Sequence, residues 1–399
     1  MDASMKRKRL ARLAGARGRV VAIVLAAGAV ASLAVGASQA AASRAHTASG
    51  AISASTLTSL KKMIAAAEKP PKWTAPGPAV SAAAIKGKSI TVFPVNSEID
   101  ACNSQTNDFA ALGKQLGANV TAVSNAGAPP QWVTAITNAT SQSDAAVVML
   151  CGVVPGAVGP QLTAAHNAGV KIVDGNYNET TDYTGLDGET AVNVIQGMQD
   201  DVADALINLK GKPLHAVFVT SSSIIQGPAS ITAAQGEINK VCPSTCTMQT
   251  VNVPIQDWAT ATEGDVSSAL TANPNTNAVI IAFDGMEQFA APALTGHAGV
   301  KIYTWGGGRS VEKLMESPNS IVAADSGPDE QWDAYEAMDQ VIRLVGGHAA
   351  APVAQELDPN RFWVASNVKS FFGPGGTYGN EGFGGDAFIK GFDKLWGVK

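Results

Sequence analysis

The residues best placed to do chemistry in this 399-residue chain stand where short apolar runs break off. The run Ala145–Leu150 is one, and a second, Val170–Val173, stops in Asp174-Gly175-Asn176. The same break follows Ser89–Val95 at Asn96-Ser97, ends Ala278–Ala282 at Phe283-Asp284, and ends Val300–Thr304 at Trp305, ahead of three glycines. Carboxylate, amide and hydroxyl groups there can hydrogen-bond a small polar ligand, and an aromatic ring can stack on its flat or apolar face. Each residue also has a plainer role. Asp, Gly and Asn favour sharp turns, Asp284 can cap a helix, and Trp305 can close a core. Trp132 and Trp258, at expected helix starts, read as packing residues.

Covalent, metal and cofactor chemistry lack their usual spacings. There is no Gly-x-Ser-x-Gly elbow. Gly87-Lys88-Ser89 mimics the end of a phosphate loop, but Ala82 occupies the required first glycine. No Gly-x-Gly-x-x-Gly follows the first apolar run. The five histidines show no ligand spacing near the four cysteines. Asp200-Asp201 reads as part of a solvated helix face. The expectation is a binding protein with no cofactor and no metal, and not an enzyme.

Residues 1–40 read as an export leader: seven basic residues between Lys6 and Arg19, an apolar Val20–Val35, then Ser38-Gln39-Ala40. Cleavage is expected near Ala40. No cysteine follows the apolar stretch before Cys102, which argues against a lipid anchor. The whole chain carries a net charge of −5; without the leader, 21 basic residues stand against 32 acidic ones, a net −11. That balance argues against nucleic acid and anionic membrane surfaces as partners. In an exported chain the four cysteines predict disulfides. Cys242 and Cys246 can close a tight loop. Cys102 and Cys151 follow the first and third predicted strands, which are neighbours in a doubly wound sheet.

The elements that must position these residues alternate regularly. Residues 41–86 read as a flexible segment with a short surface helix near Leu57–Ala67 and a proline-rich linker. Strands are then expected at Ser89–Val95, Asn119–Val123, Ala145–Leu150 and Val170–Val173, with helices between. The apolar run, Gly/Pro loop, short helix and second apolar run of Ala145–Asn176 form a βαβ unit of a parallel sheet. Ligands bind beyond the carboxyl ends of such strands. A longer helix shows Ile195, Met198, Val202, Leu206 and Leu209 on one face. The alternation restarts at His215–Thr220 and continues through Met248–Val253, Ala278–Phe283 and Val300–Trp305 to a late helix marked by Tyr335, Met338, Ile342 and Val345. Two such runs predict two α/β lobes.

The order of these segments resembles the type I periplasmic binding proteins, the sugar-binding branch that serves ABC importers. The resemblance covers roughly residues 87–370. It is carried by Ala145–Asn176, by Asn273-Pro274-Asn275-Thr276-Asn277 leading into Ala278–Asp284, by Gly299–Gly307, and by the helix at Gln331–Val345. It implies two doubly wound parallel-sheet lobes joined by a three-segment hinge, with crossings near Asp174–Thr181, Asp325–Pro328 and Phe362–Asn367. The lobes would then be 87–175 with 326–362, and 176–325 with 363–399. The implied function is extracytoplasmic capture of a sugar or sugar-like molecule by a monomer, for delivery to ABC permease subunits. A receptor for a membrane signalling protein and a secreted enzyme on a similar scaffold are the alternatives.

The chain also departs from the family pattern. Phe283 stands where an Asn is frequent before Asp284. Thr304-Trp305-Gly306-Gly307 stands for Gly-Phe-Asp-Gly, Ala233 for an Arg, and Asp325 for a Gln. Fewer hydroxyl-binding groups and more aromatic surface favour a ligand with an apolar or aromatic face, since each buried polar group needs a partner. The expected ligand contacts are Asn96, Ser97, Asp174, Asn176, Phe283, Asp284, Trp305 and Asp325.

Overall fold

The computed structural model describes residues 52–175, 185–372 and 380–398. The leader, Asn176 and most of the Gly373–Gly385 loop lie outside these residues. The chain opens with α1 (Ala54–Ala67), capped at its start by the Ser53 hydroxyl.

A first sheet follows, built from β1 (Ser89–Pro94), β2 (Asn119–Ala122), β3 (Ala146–Leu150), β4 (Lys171–Asp174) and β5 (Gly188–Glu189). Their order is β2-β1-β3-β4-β5, all parallel. Between these strands run α2 (Asp100–Gln115), α3 (Pro129–Ser141) and α4 (Gly159–Asn167). All five residues of β3 are buried, as an unbroken apolar run in a two-face-covered sheet requires.

Past β6 (Ala191–Val192) and α5 (Val194–Asn208), the second sheet is formed by β7 (His215–Thr220), β8 (Thr247–Asn252), β9 (Ala278–Ile281), β10 (Lys301–Trp305) and β11 (Val322–Gly327). The intervening helices are α6 (Gly227–Val241), α7 (Trp258–Ala272), the short α8 (Glu287–Ala290) and α9 (Arg309–Met315). The chain then makes α10 (Glu330–Val345), β12 (Leu357–Asp358) and β13 (Arg361–Val364), and ends in α11 (Ala387–Trp396). The second sheet reads β13-β11-β10-β9-β7-β8, with β13 antiparallel on its edge. β6 and β12 form a separate two-stranded ribbon.

Both lobes are therefore doubly wound, but the chain passes between them differently from the sequence expectation. β5 still pairs with β4, so the first sheet extends past residue 176. Arg361 and Phe362 belong to β13, in the second sheet. The hinge strands follow β5 and precede β13, where β6 pairs with β12.

The two terminal segments also differ from expectation. α1 is the helix expected near Leu57–Ala67, but it is packed rather than merely on the surface: Leu60 and Ile64 are buried, and the helix lies on α5. Arg361 Nε donates to the Glu68 carbonyl at 3.0 Å, fixing the end of α1 to the second sheet. The linker then crosses to the first lobe. Trp73 meets Phe392 edge-on at 5.5 Å, the Val80 amide donates to the Leu395 carbonyl, and Arg343 donates to the Pro78 carbonyl. α11, expected with the second lobe, instead stacks on α10 through Trp332–Phe388 and Tyr335–Trp396. α10 in turn packs on α2 of the first lobe. The N-terminal and C-terminal segments thus strap the lobes together beside the hinge strands.

Two further differences lie on α5. Asp200 and Asp201, expected on a solvated face, are buried. Ile195, expected on the core face of α5, is 52% exposed, while Val194, Met198, Val202 and Leu206 are fully buried.

Candidate ligand-binding site

The carboxyl ends of both sheets face one cavity. From the first lobe come Ile99, Cys102 and Gln105 at the start of α2, and Cys151 just past β3. From the second come Ile224 and Gln226 after β7, Trp258 after β8, Phe283 and Asp284 after β9, and Trp305 and Gly306 at the end of β10. Pro328, Glu330 and Asp333 close it at the head of α10. The empty space is about 580 Å³ with its open mouth included, of which about 60 Å³ admits the centre of a water-sized sphere. The cavity is thus narrow, because the lobes touch around it. The Ile225 amide donates to the Gly152 carbonyl, and Arg309 of the second lobe reaches Asp108 and Glu330 of the first.

Adjacency of β1 and β3 brings Cys102 and Cys151 together as a disulfide on the cavity wall. Cys151 holds a left-handed backbone (φ 61°), an unfavourable conformation for a residue with a Cβ. The second disulfide joins Cys242 and Cys246.

The opposite wall is aromatic. Trp258 and Phe283 are stacked with centroids 6.3 Å apart and planes 20° apart; Phe283 and Trp305 meet edge-on at 6.4 Å and 71°. Trp305 fits because Gly197 on α5 faces it, where a Cβ would collide with the indole. Its Nε1 donates to Asn360 at 3.4 Å. Asp284 lies beneath the glycine loop and accepts from the Gly308 amide at 2.6 Å. A Cβ at Gly306 would run into its carboxylate, which gives the departure from Gly-Phe-Asp-Gly a physical reason. Burial pushes Asp284 up to about 7, against the backbone hydrogen bonds that pull it down.

Phe283, Asp284 and Trp305 thus line the cavity; Asn96, Ser97, Asp174 and Asp325 do not. The Asn96 side chain accepts from the Glu98 amide at 2.8 Å, and Ser97 Oγ accepts from the Asn125 amide at 3.0 Å. Both stitch the loops behind the wall. Asp174 is fully buried at the end of β4 next to Glu189. Asp325 is fully buried with Glu312, and burial first, then Asp284, pushes its carboxyl well up. Asn176 lies outside the described residues.

Trp132 packs as expected, donating to the Val95 carbonyl at 3.0 Å. Trp258 does not serve packing alone, since it forms part of the wall. Sequence reasoning missed Gln105, Gln226, Glu330 and Asp333. Gln226, in the loop between β7 and α6, was open to the same positional argument; Gln105 lies inside α2, well past the end of β1, and was not. Glu330 and Asp333 reach the cavity only through the hinge, which leaves no local signal.

No protein-family model and no curated protein sequence matches the chain. Solved structures do. A sugar ABC transporter structure from Yersinia enterocolitica matches with a TM-score of 0.65 at 17% identity, covering 81% of this chain and 97% of that one. The 5-methylthioribose transporter solute-binding protein of Thermotoga lettingae, in complex with 5-methylthioribose, gives 0.61 at 15% identity over 78% and 94% of the two chains. A carbohydrate transporter structure from Acidothermus cellulolyticus, in complex with myo-inositol, gives 0.59 at 16% over 71% and 96%. The chain has the two-lobed α/β fold of ABC-transporter solute-binding proteins.

Proposed function

We propose that the protein is an exported, monomeric solute-binding protein that holds a small molecule between its lobes and presents the closed form to the permease of an ABC importer. The observation that carries this reading is one narrow cavity walled by the strand ends of both lobes. A ligand there touches both sheets and biases hinge closure through its differential contacts. The aromatic wall and amide side chains suit a sugar-like molecule with one apolar face, in keeping with the sugars and polyols bound by structural neighbours. Binding rather than turnover is the role, because the lining cysteines form a disulfide and Asp284 is held by a backbone amide.

A thermal-shift screen over sugars, polyols, nucleosides and their amino derivatives tests it. A ligand at a hundredfold excess over Kd stabilises the folded state by about 2.7 kcal/mol. A shift, with the compound recovered unchanged, supports the reading. Chemical conversion of the bound compound would overturn it in favour of an enzyme.

A further inference from the structure

Resting on the solute-binding reading, we infer that the ligand carries a cationic nitrogen, an ammonium or amidinium group, on its small hydroxylated body. The argument begins with the charge of the wall. Three carboxyl groups line the cavity, those of Asp284, Glu330 and Asp333, and among the described residues no Lys, Arg or His lines it. The polar remainder includes the neutral amides of Gln105 and Gln226.

The surroundings do not cancel that charge. Arg309 is the nearby cation, and it divides itself between Asp108 at 3.0 Å and Glu330 at 2.9 Å, one positive group for two acids. Behind Asp333 stand Glu336 and Asp358, and the charged groups acting on Asp284 include Asp100 and Glu287, all acids. Arg343, further along α10, is taken by Asp339. Burial and the neighbouring acids hold Asp284 and Glu330 above the ordinary carboxylate range, so these groups keep protons until a cation arrives to pair with them. An anion finds no positive group among the lining residues, whereas a cation gains by displacing those protons.

The second observation is independent of charge. Trp258, Phe283 and Trp305 form a corner in which Phe283 lies parallel to one neighbour and perpendicular to the other. Ring faces attract a cation lying within about 6 Å of their centroids, most strongly when the site is partly desolvated. Here the rings are almost fully buried and border the same space as the acids. Aromatic rings and carboxyl groups that border one space are together complementary to an ammonium group seated there. The departures from the family pattern act in this direction too: Ala233 replaces a common arginine, and Phe283 replaces an amide.

Calorimetry on the full exported protein tests the inference with pairs matched in shape and differing in charge: glucosamine against glucose, and choline against 3,3-dimethylbutan-1-ol. The expected result is at least tenfold tighter binding of the charged member of one pair, weakening as salt is raised. In Asp284→Asn and Glu330→Gln that preference should fall at least tenfold while circular dichroism stays native. A Phe283→Leu variant, which keeps bulk and removes the ring, should lose preference as well. Equal or tighter binding of the neutral member overturns the inference and leaves the solute-binding reading intact. Tight binding of myo-inositol, with no charged member bound, does the same. Silence from every compound counts against both.

Discussion

Arg309→Ala removes a clasp between the lobes. The guanidinium, on α9 of the second lobe, reaches Asp108 Oδ2 at 3.0 Å and Glu330 Oε2 at 2.9 Å, both in the first lobe. The Asp108 pair is about a quarter exposed on each side (27% and 24%), which places it near the surface-pair range of ~0.2–1 kcal/mol. Glu330 is only 4% exposed. Stripping the partner from a fully buried charge costs ~3–5 kcal/mol. Two escapes lower that figure here: the lobes can part and hydrate Glu330, or Glu330 can take a proton. Burial already pushes its carboxyl well up, and Arg309 is the group that pulls it down. A net ~1–3 kcal/mol is expected, shifting the closed-to-open ratio about 5- to 150-fold. Small-angle X-ray scattering of the ligand-free protein at pH 7.5 should give a larger radius of gyration for the variant. Ligand affinity should fall by the same factor as the closed fraction. The difference should shrink in acid, where Glu330 is neutral with or without its partner. Identical scattering and identical affinity at neutral pH would refute the clasp.

Stability should fall as pH rises. Burial pushes Asp200 and Asp284 up to about 7 and Asp204 up to about 6, so each binds a proton when folded that the unfolded chain releases near the ordinary value of 3.8. Their contribution is complete below that ordinary value and is lost as pH climbs through 6 and 7. Calorimetric Tm should therefore be higher at pH 5 than at pH 8, and Asp200→Asn should flatten the slope; a Tm rising over that interval would contradict the sign. Trp73→Ala should cost ~1–3 kcal/mol in urea unfolding, because a half-buried indole loses its contact with Phe392. It should also expose the 68–81 strap to proteases, and unchanged proteolysis would show that the strap holds without it. Replacing Cys102 and Cys151 together by Ser opens a cross-link between residues 49 apart and should lower stability by about 4 kcal/mol. The guanidinium chloride midpoint reads this loss, and no change in midpoint would deny the bridge a stabilising role.

Much of the scaffold was legible because parallel strands buried on both faces leave apolar runs that little else produces. β3 is the plain case. The same alternation gave the neighbouring strand ends, and from them the partner of Cys102. The site was legible in part. Phe283, Asp284 and Trp305 follow strands directly, so position was enough. Asn96 and Ser97 also follow a strand, but their side chains are used within the loops. A sequence does not separate a turn-forming amide from a ligand-facing one. The terminal segments were misread for a different reason. α1 is rich in Ala, Ser and Thr, and its two buried residues, Leu60 and Ile64, give too weak a stripe to announce a packed helix. Asp200 and Asp201 read as surface acids, but α5 is also covered by α6 and by the second sheet, where Asp201 meets Ser326. α11 carries a strong apolar face of Phe388, Phe392, Leu395 and Trp396, yet nothing local says which lobe receives it.

The most direct test is a crystal structure with a compound that raises Tm. The ligand is predicted to lie between the lobes, against Phe283 and Trp305 on one side and the Cys102–Cys151 disulfide on the other, with its polar groups toward Asp284 and Glu330. A ligand found instead in the surface groove at His215, Thr247 and Asn273, where β7 and β8 begin, would contradict the account.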